Sequence, residues 1–129
     1  MNWPEVERII RTQIVPGTRG ILKCDGSERR AVTSNAGDRI GMQTGVNTKQ
    51  SKAIRYEMIR FAFETLQANG RFDSTDFRGR FDAEYQAAPC RYSMTGGVLV
   101  EVGVARLVSG LGESTCHYVA KLAAAVKGK

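Results

Sequence analysis

Apolar residues change their spacing several times along this chain, and each change marks an element. Pro4 suits the first turn of a helix, where its missing N–H is not needed. Val6, Ile9 and Ile10 then recur at helical spacing to about Thr12, and Pro16-Gly17 ends the segment. From Arg19 to Thr44 the pattern breaks into short apolar runs divided by turn residues. RGILKC leads into Asp25-Gly26, RRAVTS into NAGD, and RIGMQT into Gly45 and Asn47. These runs predict three short antiparallel strands in a meander, with Asp25-Gly26 as the first tight turn. On edge strands, Arg29, Arg30 and Arg39 would guard against pairing with another chain.

Residues 48–69 read as a helix. Ile54, Met58, Phe61, Ala62 and Leu66 mark one stripe, which Ile59 and Phe63 widen, and Asn69-Gly70 is a good stop. Arg60 and Glu64, four apart, add a surface pair. The next stretch, RFDSTDFRGRF, places Asp73 as an N-cap with Asp76 three residues on, a capping-box spacing. Phe72 before that cap and Phe77 after it have the spacing of a hydrophobic staple. A helix over about 74–85 follows, weakened by Gly79, and Ala87-Ala88-Pro89 is a turn that opens a third element.

That third element, SMTGGVLVEVGVARLVSG from Ser93 to Gly110, admits two readings. Val98, Val100, Val102 and Val104 alternate as in a strand, and Gly96 and Gly97 would each cost a helix interior about 1 kcal/mol relative to Ala. Against this, Met94, Val98, Leu99 and Val102 fall on one helical face, and Gly103 sits where a left-handed cap needs glycine. The cap at Asp73, the turn at Pro89 and the stop at Gly103 favour helix, then strand. The two glycines then allow close packing against the preceding helix. VARLV, the turn SGLGES and TCHYVAKL form a closing hairpin.

In this order of elements, residues 50–122 resemble winged helix-turn-helix DNA-binding domains. The stretch GVLVEVGVARLVSGLGESTCHYVAK looks like a recognition helix running into a wing. With the N-terminal elements read above, the resemblance gives an α+β fold: a short N-terminal helix and a three-stranded antiparallel meander, then, as the resemblance implies, a winged-helix-like unit of three elements with a C-terminal β-hairpin. One domain covers 1–129, with helix and small sheet in 1–47 and the winged-helix-like part in 48–129. The resemblance also implies duplex DNA as partner, with the third helix in the major groove. Exposed Arg91, Tyr92, Ser93 and Thr95 would then face base edges and phosphates. Arg78 and Arg80 would anchor the backbone, and Ser109, Ser114, Thr115, Lys121, Lys127 and Lys129 would reach flanking phosphates. Glu101 and Glu113 depart from that pattern.

Charge permits such a partner without demanding it. The chain of 129 residues carries a net charge of +6. Residues 1–48 hold seven Lys/Arg against five Asp/Glu, residues 49–82 seven against five, and residues 83–129 five against three. Each third is therefore +2, with no basic arm. The start is polar and acidic, unlike a secretory signal, and no apolar run approaches a bilayer span, so the expectation is a cytoplasmic protein without a membrane partner.

Three cysteines, Cys24, Cys90 and Cys116, are an odd number without close spacing, so the expectation is reduced, half-buried thiols. With His117 they would make four zinc ligands, but scattered ones, and no metal is expected. Cys116 and His117 are neighbours on a strand and point to opposite faces, which excludes a thiolate–imidazole pair there. Asp25 and Glu28 lack a companion lysine, and Asp73, Asp76 and Asp82 are cap and helix surface. GVNTKQSK has a single glycine and forms no phosphate cradle. No enzyme activity and no cofactor are therefore expected. The alternatives to DNA binding are a protein interaction module or accessory subunit, as homodimer or with another protein, using the sheet and the surface around Tyr85 and Tyr92, and a small-ligand-binding domain.

Overall fold

The computed structural model describes residues 1–43, 51–112 and 114–121. Helix α1 (Trp3–Gln13) precedes strands β1 (Arg19–Leu22), β2 (Glu28–Ala36), β3 (Arg39–Gln43) and β4 (Ser51–Arg55). Helix α2 (Tyr56–Asn69), strand β5 (Arg71–Asp73) and helices α3 (Ser74–Ala87) and α4 (Cys90–Glu101) follow, then the hairpin β6 (Ala105–Val108) and β7 (His117–Ala120). The fold is α+β, with two antiparallel sheets in the orders β1-β2-β3-β4 and β5-β7-β6.

The first sheet has one strand more than the sequence pattern predicts. Residues 51–55 pair with β3 over its whole length, Ile54 opposite Ile40 and Ala53 opposite Gly41. Helix α2 therefore starts at Tyr56, and Ile54 reaches the core from a strand. Its period matched the helix beyond it, so the sequence could not divide the two. The strand order also moves the edges. Arg30 and Arg39 lie on β2 and β3, which are interior strands, and the edges are β1 and β4. Neither arginine guards an edge.

Capping boxes start α1 and α3. Asn2 accepts from the Glu5 amide at 3.0 Å while Glu5 accepts from the Asn2 amide at 3.1 Å, closing a capping box on α1. Asn35 of β2 donates to the carbonyls of Ile10 and Ile14, satisfying the end of that helix from the sheet. Gly70 ends α2 with φ +75° and sends the chain into β5, a three-residue strand absent from the sequence reading. Asp73 and Asp76 exchange side-chain to amide bonds at 3.0 Å each, so the box at α3 forms as the spacing predicts. Phe72 and Phe77 meet edge to face with centroids 6.4 Å apart, which closes the staple. Helix α3 kinks at Phe81, two residues past Gly79.

Ser93 to Gly110 is helix, then strand. Helix α4 ends at Glu101, Gly103 takes φ +85°, and β6 begins at Ala105. The helix is central. Tyr92 to Leu99 are eight consecutive buried residues, so no face along that run meets solvent. One side packs on the second sheet, where Gly96 lies against the Tyr118 ring of β7 and leaves no room for a Cβ. The other packs on β1, where a Cβ on Gly97 would stand 2.7 Å from Ile21 Cγ2 and 3.1 Å from the Leu22 carbonyl. The paired glycines thus serve two strands, not the preceding helix. A single hydrophobic cluster runs from Val6 and Ile10 of α1 through Ile21, Val32, Ile40 and Ile54 to Leu99 and Tyr118. Each fully buried side chain of this size contributes about 1.5–3 kcal/mol.

Two of the three cysteines are bonded. Cys24, in the β1–β2 turn, and Cys116, just before β7, form a disulfide with Cα atoms 5.5 Å apart, across 92 residues of sequence. Cys90 is free and half-buried. The expectation of three reduced thiols is corrected on this point: folding brings together two residues that spacing gave no reason to pair. Among the described residues no helix is long and apolar enough to cross a membrane.

Candidate nucleic-acid interface

The start of α4 does not present a reading surface. Tyr92, Ser93 and Thr95 are fully buried. The Tyr92 hydroxyl donates to the Cys116 carbonyl at 2.9 Å. Ser93 Oγ accepts from Arg30 Nη1 at 2.8 Å, and Thr95 Oγ1 donates back to the Arg91 carbonyl at 2.8 Å. Arg91 is half-buried, its guanidinium donating to the carbonyls of Ala53 at 3.1 Å and Glu84 at 3.2 Å, which clamps β4 to the end of α3. The expectation that these four side chains stand exposed is corrected. The four-stranded sheet covers Arg91 and Ser93, and Phe72, Phe77 and Tyr118 of α3 and the second sheet enclose Tyr92. Burial of Tyr92 also removes it from the protein-contact surface expected around Tyr85 and Tyr92; Tyr85 is half-buried, against Phe77.

The other expected contacts are on the surface but scattered. Arg78 is exposed, beside Asp82 at 3.5 Å and over the Tyr85 ring. Arg80 is exposed over the rings of Phe61 and Phe81, 5.6 Å from each centroid. Ser109, Ser114 and Thr115 are exposed on the β6–β7 connection, where Thr115 Oγ1 accepts from the Gly112 amide at 2.9 Å. Lys121 is exposed just past β7. Glu113, Lys127, Lys129 and most of GVNTKQSK lie outside the described residues.

Strand pairing gathers a different set of cations. In the β5-β7-β6 sheet, Arg71 and Arg106 both stand opposite Val119, one from each side. Phe72, Tyr118 and Leu107 form the adjacent row and turn to the core, so the Arg71–Val119–Arg106 row turns outward. Two strand spacings put the two arginine backbones about 10 Å apart. Asp73, His117 and Val108 make the next outward row, and Lys121, bonded by its amide to the Val104 carbonyl, lies one row beyond the other end. Among the described residues, Arg106 and Lys121 have no acidic partner within ion-pair distance, while Arg71 reaches Asp73 at 3.4 Å.

Local fields on this face follow from its charges. His117 titrates below its ordinary range because partial burial, and then the Arg71 guanidinium, disfavour the imidazolium; Asp73 opposes them. Burial raises the Asp73 carboxyl, but the hydrogen bonds from Asp76, with help from Arg71, outweigh it and hold the group low. Asp76, its partner in the box, is raised by burial first and by the Asp73 charge. Cys116 lies in the disulfide, so no thiolate stands beside His117. Comparison with protein-family models, curated proteins and solved structures gave no match for this chain.

Sequence reading missed Arg71, Arg106 and His117 as a group. They lie on three strands, and one of those, β5, is too short to show a period. The only available signal was the alternation in RLV and HYV, which separates inward from outward positions once both are known to be strands.

Proposed function

We propose that this protein binds duplex DNA through the outer face of its β5-β7-β6 sheet, holding the phosphate backbone with Arg71, Arg106 and Lys121. The observation that carries the reading is the register that sets Arg71 and Arg106 on either side of Val119, facing outward. Two guanidiniums and an ammonium on one exposed face give a polyanion a footprint, and release of its counterions supplies the affinity. Contacts of this kind fix position on the duplex and carry no base readout.

Tyr56–Ala120 is read here as a winged-helix unit whose third helix has become a core helix. The order of helix, helix, helix and hairpin supports this, and so does the stop at Gly103. The first sheet, laid on α4, takes the place that a major groove would occupy.

The test is duplex binding across a salt series. Affinity should fall as salt rises, and an Arg71→Gln/Arg106→Gln variant should lower the log–log slope by about 2, one per lost phosphate contact. Arg39→Gln, on the first sheet, should leave it unchanged. No binding at low salt, or affinity indifferent to salt, overturns the reading.

A protein partner is the second reading, favoured by Leu111, which is fully exposed in the β6–β7 connection, and by half-buried Val108 and Val119 on the same sheet. A dimeric mass in solution that Leu111→Ser returns to monomer, together with no duplex retention, would prefer it.

A further inference from the structure

The return of the hairpin into β7 is held at three points, one of them covalent. Cys116 is bonded to Cys24 of the first sheet. The Gly110 amide donates to the Cys24 carbonyl at 2.9 Å, and the Tyr92 hydroxyl donates to the Cys116 carbonyl at 2.9 Å. Both cysteines are buried, at 3% and 2% exposure, but the residues beside them, Asp25, Gly26, Ser114 and Thr115, are exposed. The bond is therefore part of the core where the two sheets meet, and the turns on either side of it reach solvent. The hydrophobic cluster that joins the sheets through α4 contains both cysteines together with Ile21, Leu99 and Tyr118. Breaking the bond removes the disulfide tie between the sheets and leaves the remaining apolar contacts of that cluster to hold them.

We propose that Cys24–Cys116 is a redox latch on the β6–β7 hairpin, and that its state sets the affinity of the basic sheet face. Only the second clause rests on the DNA-binding reading. The reductant is a dithiol. Its thiolate attacks one sulfur of the pair, the S–S bond breaks, and a mixed disulfide forms. Its second thiolate then displaces the cysteine, so the dithiol leaves as a disulfide while two electrons and two protons pass to Cys24 and Cys116. A disulfide oxidant of the same class reverses the step. Once open, Gly110 and Cys116 keep their hydrogen bonds to Cys24 and Tyr92, and β7 loses the covalent anchor on the residue just before it. β7 is the central strand of the sheet and holds Arg71 and Arg106 in register, so loosening it spreads the binding groups.

The experiment uses the full chain, oxidised in air or treated with dithiothreitol, beside a Cys24→Ser/Cys116→Ser variant. The oxidised protein should titrate one free thiol, that of Cys90, and the treated protein three. Amide exchange over 109–117 should rise about tenfold on reduction while α1 and α2 stay protected. Affinity for a DNA duplex at fixed salt should fall about fivefold. The serine variant should match the reduced protein under both conditions.

Three free thiols after air oxidation, or exchange over 109–117 that ignores reduction, overturns the latch. So does exchange that rises throughout the chain, which would make the bond a general staple. Loosened exchange with unchanged duplex affinity overturns the link to binding. Loosened exchange in a protein that binds no duplex in either state upholds the latch and overturns the DNA-binding reading instead.

Discussion

Gly96 of α4 and Tyr118 of β7 are in direct contact, backbone against ring, and a Cβ on Gly96 would stand closer to that ring than side chains ever approach. Both residues are buried, so neither can step aside. Gly96→Ala gains about 1 kcal/mol of helix propensity and overpacks the core by about 3 kcal/mol. The expected net loss is about 2 kcal/mol, read from urea unfolding. A variant as stable as the parent would mean that α4 is not pressed against β7.

Arg30 is the opposite case, a buried cation with little to hold it. It is 3% exposed, its Nη1 donates to Ser93 Oγ, and its Nε has no hydrogen-bond partner. A guanidinium stays charged, and an uncompensated buried charge is costly. Arg30→Met keeps the volume and removes that cost, so stability should rise by about 1 kcal/mol. A loss of similar size in urea unfolding would show that the charge is compensated.

The capping box at α3 ties two elements together, because Asp73 is also the last residue of β5. Asp73→Ala frees the Asp76 amide and should cost about 1–2 kcal/mol at neutral pH. Its folded pKa is depressed, so its contribution is present above the ordinary aspartate value and is lost as pH falls through the lower, folded one. Between the wild type and Asp73→Ala, the stability gap should therefore narrow in acid. A gap independent of pH would argue against the cap.

His117 gives a second pH signature on the sheet face. Its folded pKa is lowered, so the unfolded chain takes up the proton first as pH falls below about 6.5. Stability should decline slightly through that window, and His117→Asn should flatten the decline. The groups facing it are Arg71 and Asp73, from β5. Duplex affinity should move the other way, rising in mild acid as the imidazolium joins Arg71 and Arg106. Equal pH profiles for the two proteins, in both measurements, would remove His117 from the face.

Local features were legible because local chemistry writes them. The Asp73–Asp76 box, the Phe72–Phe77 staple, the stop at Gly70 and the break at Gly103 each depend on residues at most five apart, and all four appear in the structure. The α+β class followed from them. Boundaries between like-patterned elements did not, since Ile54 keeps step with α2 while belonging to β4.

What only the tertiary structure decided is which surfaces remain. Period and caps make Cys90–Glu101 a helix, but nothing within it says that a sheet built from Arg19–Arg55 will cover it. Burial of Tyr92, Ser93 and Thr95, the bond from Cys24 to Cys116, and the row Arg71–Val119–Arg106 all join residues far apart in sequence. Such contacts depend on how whole elements pack to bury apolar area, a property of the assembled chain. The sequence determined where helices start and stop, and packing chose which of their side chains a partner can touch.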